Sequence, residues 1–290
     1  MKAEILVGDR DSRLAEEPAS QLEAGEIDPH EGEGWTAHLG GKKVFIVLPA
    51  YNAARTLTKT LHEIPDAFRK NIILVDDASN DDTVEVARAA GLIVFQHAKN
   101  RGYGGNQKTC YTEALKLGAD IVVMVHPDHQ YDATVIPHLV RPILGGEADA
   151  VFGSRMLGGR PLEGGMPFWK YVANVFLTAF ANIVFRRYLT EIHSGFRAYS
   201  RKYLETVRFR QNRDDFVFDT EIIAQGMMCN LTFQEVPIVT RYFPEASSIN
   251  FRRSVGYGFG ILWVLVKVVL HRAGLMRVGQ FEARGGFSDQ

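Results

Sequence analysis

The chain has 290 residues, of which 46% are hydrophobic and 23% charged, a composition typical of a globular protein with a substantial core. The formal net charge of −1 gives no electrostatic argument for a nucleic-acid partner, and we expect none. Cys110 and Cys229 match no zinc-site spacing and favour a reduced, cytoplasmic setting. The first residues lack the sustained apolar run of a secretory signal.

Residues 1–41 differ from the rest of the chain because they combine many carboxylates with glycines and show no helical or strand periodicity. Such a segment cannot bury enough apolar surface to offset the entropy of ordering it. We therefore predict a flexible acidic leader over residues 1–41. A folded domain is predicted over residues 42–250, followed by an apolar and basic C-terminal helix and tail over residues 251–290.

From Lys42 onward, short apolar runs alternate with segments of helical character. The first five predicted strands are KKVFIVLPA, NIILVDD, GLIVFQ, ADIVVMV and DAVFGS. The helices predicted between them span residues 53–64, 81–90, 105–117 and 133–144. Strands that alternate with helices of this length indicate βαβ units, and hence an α/β fold with a mostly parallel central sheet flanked by helices.

Beyond Gly153 the alternation becomes less regular. The glycine-rich run MLGGRPLEGGM predicts a loop, and GFRAYS and LTFQEVPIV predict two further strands. Helices are predicted over residues 168–188, 219–228 and 251–272.

Polar residues and glycines follow each of the first five strands, where open α/β sheets bind their ligands. These residues are Pro49, Ala50, Tyr51 and Asn52, then Asp76, Asp77 and Ser79, then Arg101, Gly102 and Gly104, then His126, Asp128 and Gln130, and finally Arg155. Asp and Ser also cap helices, which is a structural alternative for Asp76, Asp77 and Ser79. No P-loop is predicted, since Gln107 stands where that motif needs a glycine, and the first strand lacks a dinucleotide fingerprint.

These residues lie in strings that resemble the family 2 glycosyltransferases, and among them the dolichyl- or polyprenyl-phosphate sugar synthases. The strings are VLPAYNAARTL, ILVDDASNDDT, AKNRGYGGNQKT, MVHPDHQYD, FGSRMLGG, HSGFRAYS and EVPIVTRYFPEASS, in the family's order. The resemblance covers roughly residues 43–253. It implies a GT-A fold and a hexosyltransferase that uses a nucleotide-sugar donor.

The resemblance implies a donor site at these positions. Pro49, Ala50, Tyr51 and Asn52 would border the nucleotide, and Asp77 would meet the base with Asp76 and Ser79 beside it. Arg101, Gly102 and Gly104 would belong to a loop that closes over the base and ribose.

The resemblance also implies a metal site. Asp128 matches the last aspartate of the DxD motif and Gln130 the glutamine that follows it, and both would hold Mn²⁺ or Mg²⁺ against the donor diphosphate as the catalytic centre. His126 replaces the first aspartate, and we expect it to contact the ribose or a carboxylate rather than the metal. Arg155, Arg197 and Arg241 match positions that bind acceptor phosphate or donor diphosphate.

The implied reaction is inverting transfer of a sugar from a nucleoside diphosphate to a polyprenyl phosphate. One alternative is transfer to a saccharide or lipid hydroxyl, with Asp219 or Glu221 as the general base. A second alternative is a non-catalytic protein that binds nucleotide sugars. The donor could be GDP-mannose, UDP-glucose or a UDP-N-acetylhexosamine, and homo-oligomerisation is left open.

A lipid acceptor would require access to a bilayer. The apolar segment between Arg253 and His271 contains Lys267 and three glycines, so an interfacial helix is favoured over a full span. The predicted helix over residues 168–188 is a second candidate. The structural alternative for both is packing in the core or between subunits. We therefore expect a cytoplasmic protein that binds peripherally to the cytoplasmic face of the membrane.

Overall fold

The structure is a computed structural model that describes residues 39–157, 161–241 and 251–283, with the backbone alone for residues 251–253. Most of the predicted leader therefore lies outside the described residues. The division of the chain into leader, central domain and C-terminal segment stays a prediction.

Seven strands form one sheet in the order β3-β2-β1-β4-β6-β5-β7. The strands are β1 (Val44–Ala50), β2 (Ile72–Asp76), β3 (Ile93–Gln96), β4 (Ile121–Met124), β5 (Ala150–Ser154), β6 (Arg197–Ser200) and β7 (Phe233–Pro237). Pairing is parallel except along β6, which runs antiparallel to both β4 and β5. The predicted mostly parallel sheet is confirmed, and its strand order reverses between β1 and β4, where such sheets open a ligand crevice.

Eight α-helices connect and cover the strands in the described residues. They are α1 (Ala54–Glu63), α2 (Thr83–Ala89), α3 (Gly102–Lys116), α4 (Ile136–Leu144), α5 (Phe168–Phe185), α6 (Arg201–Thr206), α7 (Phe218–Met228) and α8 (Phe251–Arg272). Every predicted helix is present, with ends shifted by a few residues. Helix α6 was not predicted; it begins at Arg201, and the hydroxyl of its N-cap Ser200 accepts a hydrogen bond from Tyr203 N at 3.0 Å.

Two differences in helix ends have local causes. Helix α3 begins at Gly102 rather than at the predicted residue 105, because Asp77 accepts hydrogen bonds from the first backbone N–H groups of this segment. Helix α5 ends at Phe185 rather than at residue 188, since Arg186 adopts a left-handed conformation with φ of 54°.

Successive strand residues point to opposite sides of the sheet, and a cluster of core residues covers each side. In β1, Phe45 and Val47 belong to one core cluster, and Ile46 and Leu48 belong to the other. The first cluster also contains residues of α3, α5, α7 and α8, so the C-terminal helix is part of the fold. The carboxyl ends of β1, β2 and β4 consequently meet at one edge of the sheet, where the candidate site lies.

Candidate active site

The loops that follow β1 and β2 are fastened to each other. Ala50 pairs with Asp76 in the sheet, and Asp77 N donates to Ala50 O at 2.9 Å. Asn52 N donates to Ser79 Oγ at 2.8 Å, while Asn52 Oδ1 accepts from Asn80 N at 2.9 Å. Asn52 has a φ of 53°, a left-handed conformation that asparagine tolerates better than most residues. These bonds hold a fixed rim beside Tyr51, whose side chain is 52% exposed.

Asp77 is buried and bonded within the protein, and its expected contact with the base stays a prediction. It is 3% exposed, and its oxygens accept hydrogen bonds from Arg101 N at 2.8 Å and Gly102 N at 2.9 Å. His97 Nδ1 lies 2.7 Å from the same carboxylate. Asp77 therefore anchors the loop that starts α3, as an acidic group at a helix N-terminus does.

Asp76 retains acceptor capacity that Asp77 lacks. Its Oδ2 accepts from Ser79 N at 3.1 Å. Its Oδ1 is buried and has no hydrogen-bond partner within the described ranges. Buried carboxylate oxygens are costly to leave unpaired, so a donor group from a ligand would stabilise this one.

The glycines of the GYGG string pack against protein backbone. A Cβ at Gly102, whose φ is 82°, would lie 2.7 Å from Asp214 O, and one at Gly104 would overlap Arg213 O. Gly104 N donates to Asp214 O at 2.8 Å. Lys108 Nζ also lies 2.7 Å from Asp214 Oδ1. These glycines thus leave room for residues 213–214, and their place in a loop over the base and ribose stays a prediction.

Asp128 lies on a tight turn after β4. Its Oδ1 accepts from Gln130 N at 3.1 Å, and His129 between them has a φ of 59°. Gln130 O accepts from Arg241 N at 2.9 Å, which ties the turn to the segment after β7. The second oxygen of Asp128 has no hydrogen bond from the described parts of the chain, so it remains available to a ligand.

The donor set around Asp128 fits a divalent cation only in part. The described residues contain no group of three His, Cys, Asp or Glu side chains that could hold a metal ion. A carboxylate and an amide are hard oxygen donors suited to Mg²⁺ or Mn²⁺, which usually keep several non-protein ligands. Asp128 and Gln130 therefore fit a cation whose other ligands are phosphate oxygens and water.

A buried polar chain connects His126 to the domain interior. Tyr103 Oη lies 3.3 Å from His126 Nε2 and donates to Asp219 Oδ2 at 2.8 Å. Asp219 Oδ1 lies 3.2 Å from Arg197 Nη1. Burial raises the pKa of Tyr103 well above its usual range and Asp219 adds to this, so the phenol keeps its proton. Burial lowers the pKa of His126, against opposing effects of Asp128 and Asp219.

The three arginines predicted to bind phosphate differ in accessibility. Arg197 is 1% exposed and donates to Ser194 O at 2.6 Å and Ile192 O at 3.0 Å, so it is engaged within the protein, and its predicted phosphate contact stays a prediction. Arg155 binds the carboxylate of Glu191, which is 1% exposed. Arg241 donates to Glu63 Oε1 at 2.6 Å, yet its side chain is 41% exposed. A phosphate role for Arg155 and Arg241 stays a prediction.

Both candidate general bases are buried and partnered. Asp219 is 5% exposed and occupied by Tyr103, Gln107 and Arg197. Glu221 is 2% exposed; it accepts from Arg213 N at 2.7 Å and lies 3.0 Å from Lys267 Nζ of α8. Neither carboxylate faces a ligand.

Comparison with known proteins agrees with this fold. Residues 45–208 match the family model described as glycosyl transferase family 2. An uncharacterized protein of Methanocaldococcus jannaschii is 31% identical over 224 residues, which cover 77% of this chain and 91% of that protein. The UDP-N-acetylglucosamine–dolichyl-phosphate N-acetylglucosaminyltransferase of Methanococcus voltae is 28% identical over 238 residues, covering 76% of this chain and 94% of that protein.

The fold is also found among solved structures. Glucosyl-3-phosphoglycerate synthase from Mycobacterium tuberculosis, in complex with Mn²⁺, UDP-glucose and phosphoglyceric acid, superposes with a TM-score of 0.61 at 22% identity, over 86% of this chain and 85% of that chain. This likeness shows the shared fold. The family match and the identity to the Methanocaldococcus protein also show the family. The chain belongs to glycosyltransferase family 2 and is a glycosyltransferase with the GT-A fold.

Proposed function

We propose that this protein transfers a sugar, with inversion, from a nucleoside diphosphate to a polyprenyl phosphate. The observation that carries the proposal is the state of Asp219 and Glu221, since both potential bases are buried in ion pairs. A hydroxyl acceptor needs a base to remove its proton. A phosphate monoester is already mostly a dianion at neutral pH, so it needs none.

The bonds exchanged in this reaction balance without a proton transfer. An oxygen of the acceptor phosphate forms a bond to the anomeric carbon, and the bond from that carbon to the donor diphosphate breaks. The nucleoside diphosphate leaves with the electron pair. Attack from the face opposite the leaving group inverts the configuration.

The residues at the sheet edge would hold the donor in a fixed pose. Tyr51 offers an exposed ring at the rim, on which the base would stack. Asp128 and Gln130 would hold a divalent cation that, when bound, neutralises the charge of the diphosphate. Support for the cation comes from the oxygen donors of this turn and from the Mn²⁺ complex of the structural neighbour.

The helices α5 and α8 support a lipid acceptor. Both are long and apolar enough to cross a membrane by length and composition, with mean hydropathies of 1.3 and 1.6 over their most apolar windows. They pack against each other. Exposed apolar side chains of the two helices form what we call the α5/α8 apolar surface: Phe168, Trp169, Val172, Val175, Phe176, Phe180, Ile183, Val255, Phe259, Trp263, Val266 and Val269.

The opposite side of α8 is fixed to the catalytic domain. Ile261, Val264 and Leu265 are buried in the core, and a Cβ at Gly260 would overlap Val217. A helix held along one side by protein presents only its other side to lipid, which is the arrangement of an interfacial helix. We therefore propose that the α5/α8 apolar surface lies on a bilayer, at its cytoplasmic face.

Basic residues at the ends of these helices suit an anionic membrane. Arg186 and Arg187 follow α5, Arg272 ends α8, and all three are exposed. Burial lowers the pKa of Arg272, and the charge of Arg186 lowers it further. Clustered cations beside an apolar surface bind headgroups of anionic lipids. The relative from Methanococcus voltae, named for a dolichyl-phosphate acceptor, supports the same acceptor class.

The test is an acceptor comparison with purified protein, Mn²⁺ and each radiolabelled nucleotide sugar. Polyprenyl phosphate and the matching polyprenol are supplied in the same vesicles, together with soluble saccharides in a separate arm. We expect label in an acid-labile glycosyl phosphate only with the polyprenyl phosphate. Transfer to the polyprenol or to a saccharide, with the phosphate inert, would contradict the proposal.

A further inference from the structure

The hydrogen bonds around Tyr103 determine which nitrogen of His126 carries a proton. Tyr103 has one hydroxyl proton and two neighbours that could accept it, Asp219 Oδ2 at 2.8 Å and His126 Nε2 at 3.3 Å. The shorter contact is to a carboxylate that also pairs with Arg197, and charged acceptors form the stronger bonds. The phenol proton is therefore directed to Asp219.

The oxygen of Tyr103 then acts as an acceptor toward the imidazole. His126 Nε2 must carry the proton that this contact requires. In the neutral imidazole the other nitrogen, Nδ1, has a lone pair. The opposite tautomer would leave Tyr103 with two acceptors and one proton, and Asp219 or His126 would lose its bond.

Close packing keeps the imidazole in this orientation. The ring stacks on Tyr103 with centroids 5.6 Å apart and lies 6.2 Å from the ring of Tyr131. Gly195 leaves room for Nε2, since a Cβ there would overlap that atom. Tyr103 itself packs on Phe216 at 4.5 Å. The described residues provide no hydrogen bond to Nδ1.

We propose that Tyr103 and Asp219 are positioning residues that hold His126 as the Nε2–H tautomer, with Nδ1 as a hydrogen-bond acceptor for the donor nucleotide. Where the family motif has a carboxylate, this chain would thus supply an uncharged acceptor prepared by a buried polar chain. The inference rests on the proposed donor site. It assigns a role to Tyr103 and replaces the base role of Asp219 with an indirect one.

The first test reads the tautomer in the protein without metal or ligand. The chain has nine histidines, so ¹⁵N-histidine labelling with long-range proton–nitrogen spectra resolves them, and the signal lost in His126→Gln identifies His126. At about pH 8, above the usual histidine pKa, we expect the Nε2–H pattern in the native protein. We expect Tyr103→Phe to weaken this preference and to move the ¹⁵N shifts toward the average of the two tautomers. A proton on Nδ1 in the native protein, or an unchanged tautomer in Tyr103→Phe, would overturn the proposal.

Tyr203→Phe is the matched control for loss of a buried hydroxyl. Tyr203 is fully buried, and its hydroxyl donates to Ile222 O at 2.8 Å, away from His126. This variant should keep the His126 tautomer even if its unfolding temperature falls. A changed tautomer in Tyr203→Phe would show that general loosening, and not the Tyr103 contact, controls His126.

The second test is a double-mutant cycle on nucleotide affinity, with UDP or GDP chosen by thermal shift and with no added metal. Tyr103→Phe and His126→Ala should each weaken binding about tenfold, the loss of one hydrogen bond to a ligand. In the His126→Ala background, Tyr103→Phe should cost nothing further, because Tyr103 acts through His126. Additive losses would overturn the proposal. Failure of both nucleotides to bind, with or without Mn²⁺, would instead contradict the proposed donor site, while the spectra still decide the tautomer.

Discussion

The donor edge and the α5/α8 apolar surface differ in how fully their groups are paired. At the donor edge, the rim loops and the Asp77 anchor are held by hydrogen bonds between residues 27 and 24 positions apart, and Asp128 accepts from Gln130 N within its own turn. The α5/α8 apolar surface instead exposes large side chains, with Phe176 64% and Phe259 69% exposed. Under the proposed function, the protein would preorganise the donor site, whereas a membrane would complete the acceptor side.

The largest effect should come from removing the carboxylate of Asp128, which we propose holds the cation. Asp128→Ala should lower kcat/KM about a thousandfold, equivalent to about 4 kcal/mol of lost transition-state stabilisation. Steady-state kinetics with the native acceptor checks this. The control is Asp66→Ala, which removes an exposed carboxylate far from the site. If Asp128→Ala keeps its activity within about threefold of the native protein, Asp128 does not hold a catalytic cation.

A second large effect concerns the order of binding. Because the described residues lack a three-ligand cluster, Mn²⁺ should bind weakly to the free protein and at least about tenfold more tightly once a nucleoside diphosphate adds its oxygens. Isothermal titration of Mn²⁺ into protein with and without nucleotide measures this coupling. Equal affinity in both titrations would contradict a cation shared with the diphosphate, since coupling between two ligands must be reciprocal.

The apolar surface should affect only the lipid step. Phe176→Glu and Phe259→Glu should each weaken vesicle binding about tenfold, since each phenyl group no longer enters the bilayer interface. Flotation with anionic vesicles measures the loss. Leu117→Glu is the control, because Leu117 is 41% exposed but lies outside the α5/α8 apolar surface.

The same two variants separate membrane binding from catalysis when a soluble acceptor replaces the lipid. Turnover of a short, water-soluble prenyl phosphate should be unchanged in Phe176→Glu and Phe259→Glu. A loss of turnover with this acceptor would mean that the α5/α8 apolar surface is coupled to the donor edge. Unchanged vesicle binding would mean that the surface is covered by something other than lipid.

The smallest effect on activity should come from Glu221→Gln. It removes the charge that pairs with Lys267, so we expect a free energy of unfolding lower by about 3 kcal/mol. Denaturant unfolding measures this, and Lys267→Met should show a similar loss. Turnover with polyprenyl phosphate at a temperature where the variant is folded should be preserved. Loss of kcat without loss of stability would restore Glu221 as a general base.

The sheet and its ligand edge could be predicted from sequence because apolar runs and glycine or proline boundaries are local signals. The functions of individual polar residues could not. Asp77 was expected at the base, but its partners His97 and Arg101 come from the following βα unit. Arg197 was expected at a phosphate, but its partner Asp219 lies on a later helix.

The contacts of Tyr103 could likewise not be predicted from the sequence. It stands inside a recognised string, between two glycines, yet nothing in the local pattern points to His126 or Asp219 as its neighbours. The antiparallel direction of β6 was also not predicted, because an apolar run does not reveal strand direction. Contacts between residues far apart in sequence decide which polar groups remain available to a ligand.

The most direct measurement is a crystal structure of the protein with Mn²⁺ and its nucleotide sugar. We predict a cation in direct contact with an Asp128 oxygen and with the donor diphosphate. The base should lie against Tyr51. Phosphates bound elsewhere, for example on Arg186, Arg187 and Arg272, with Asp128 unliganded, would contradict it.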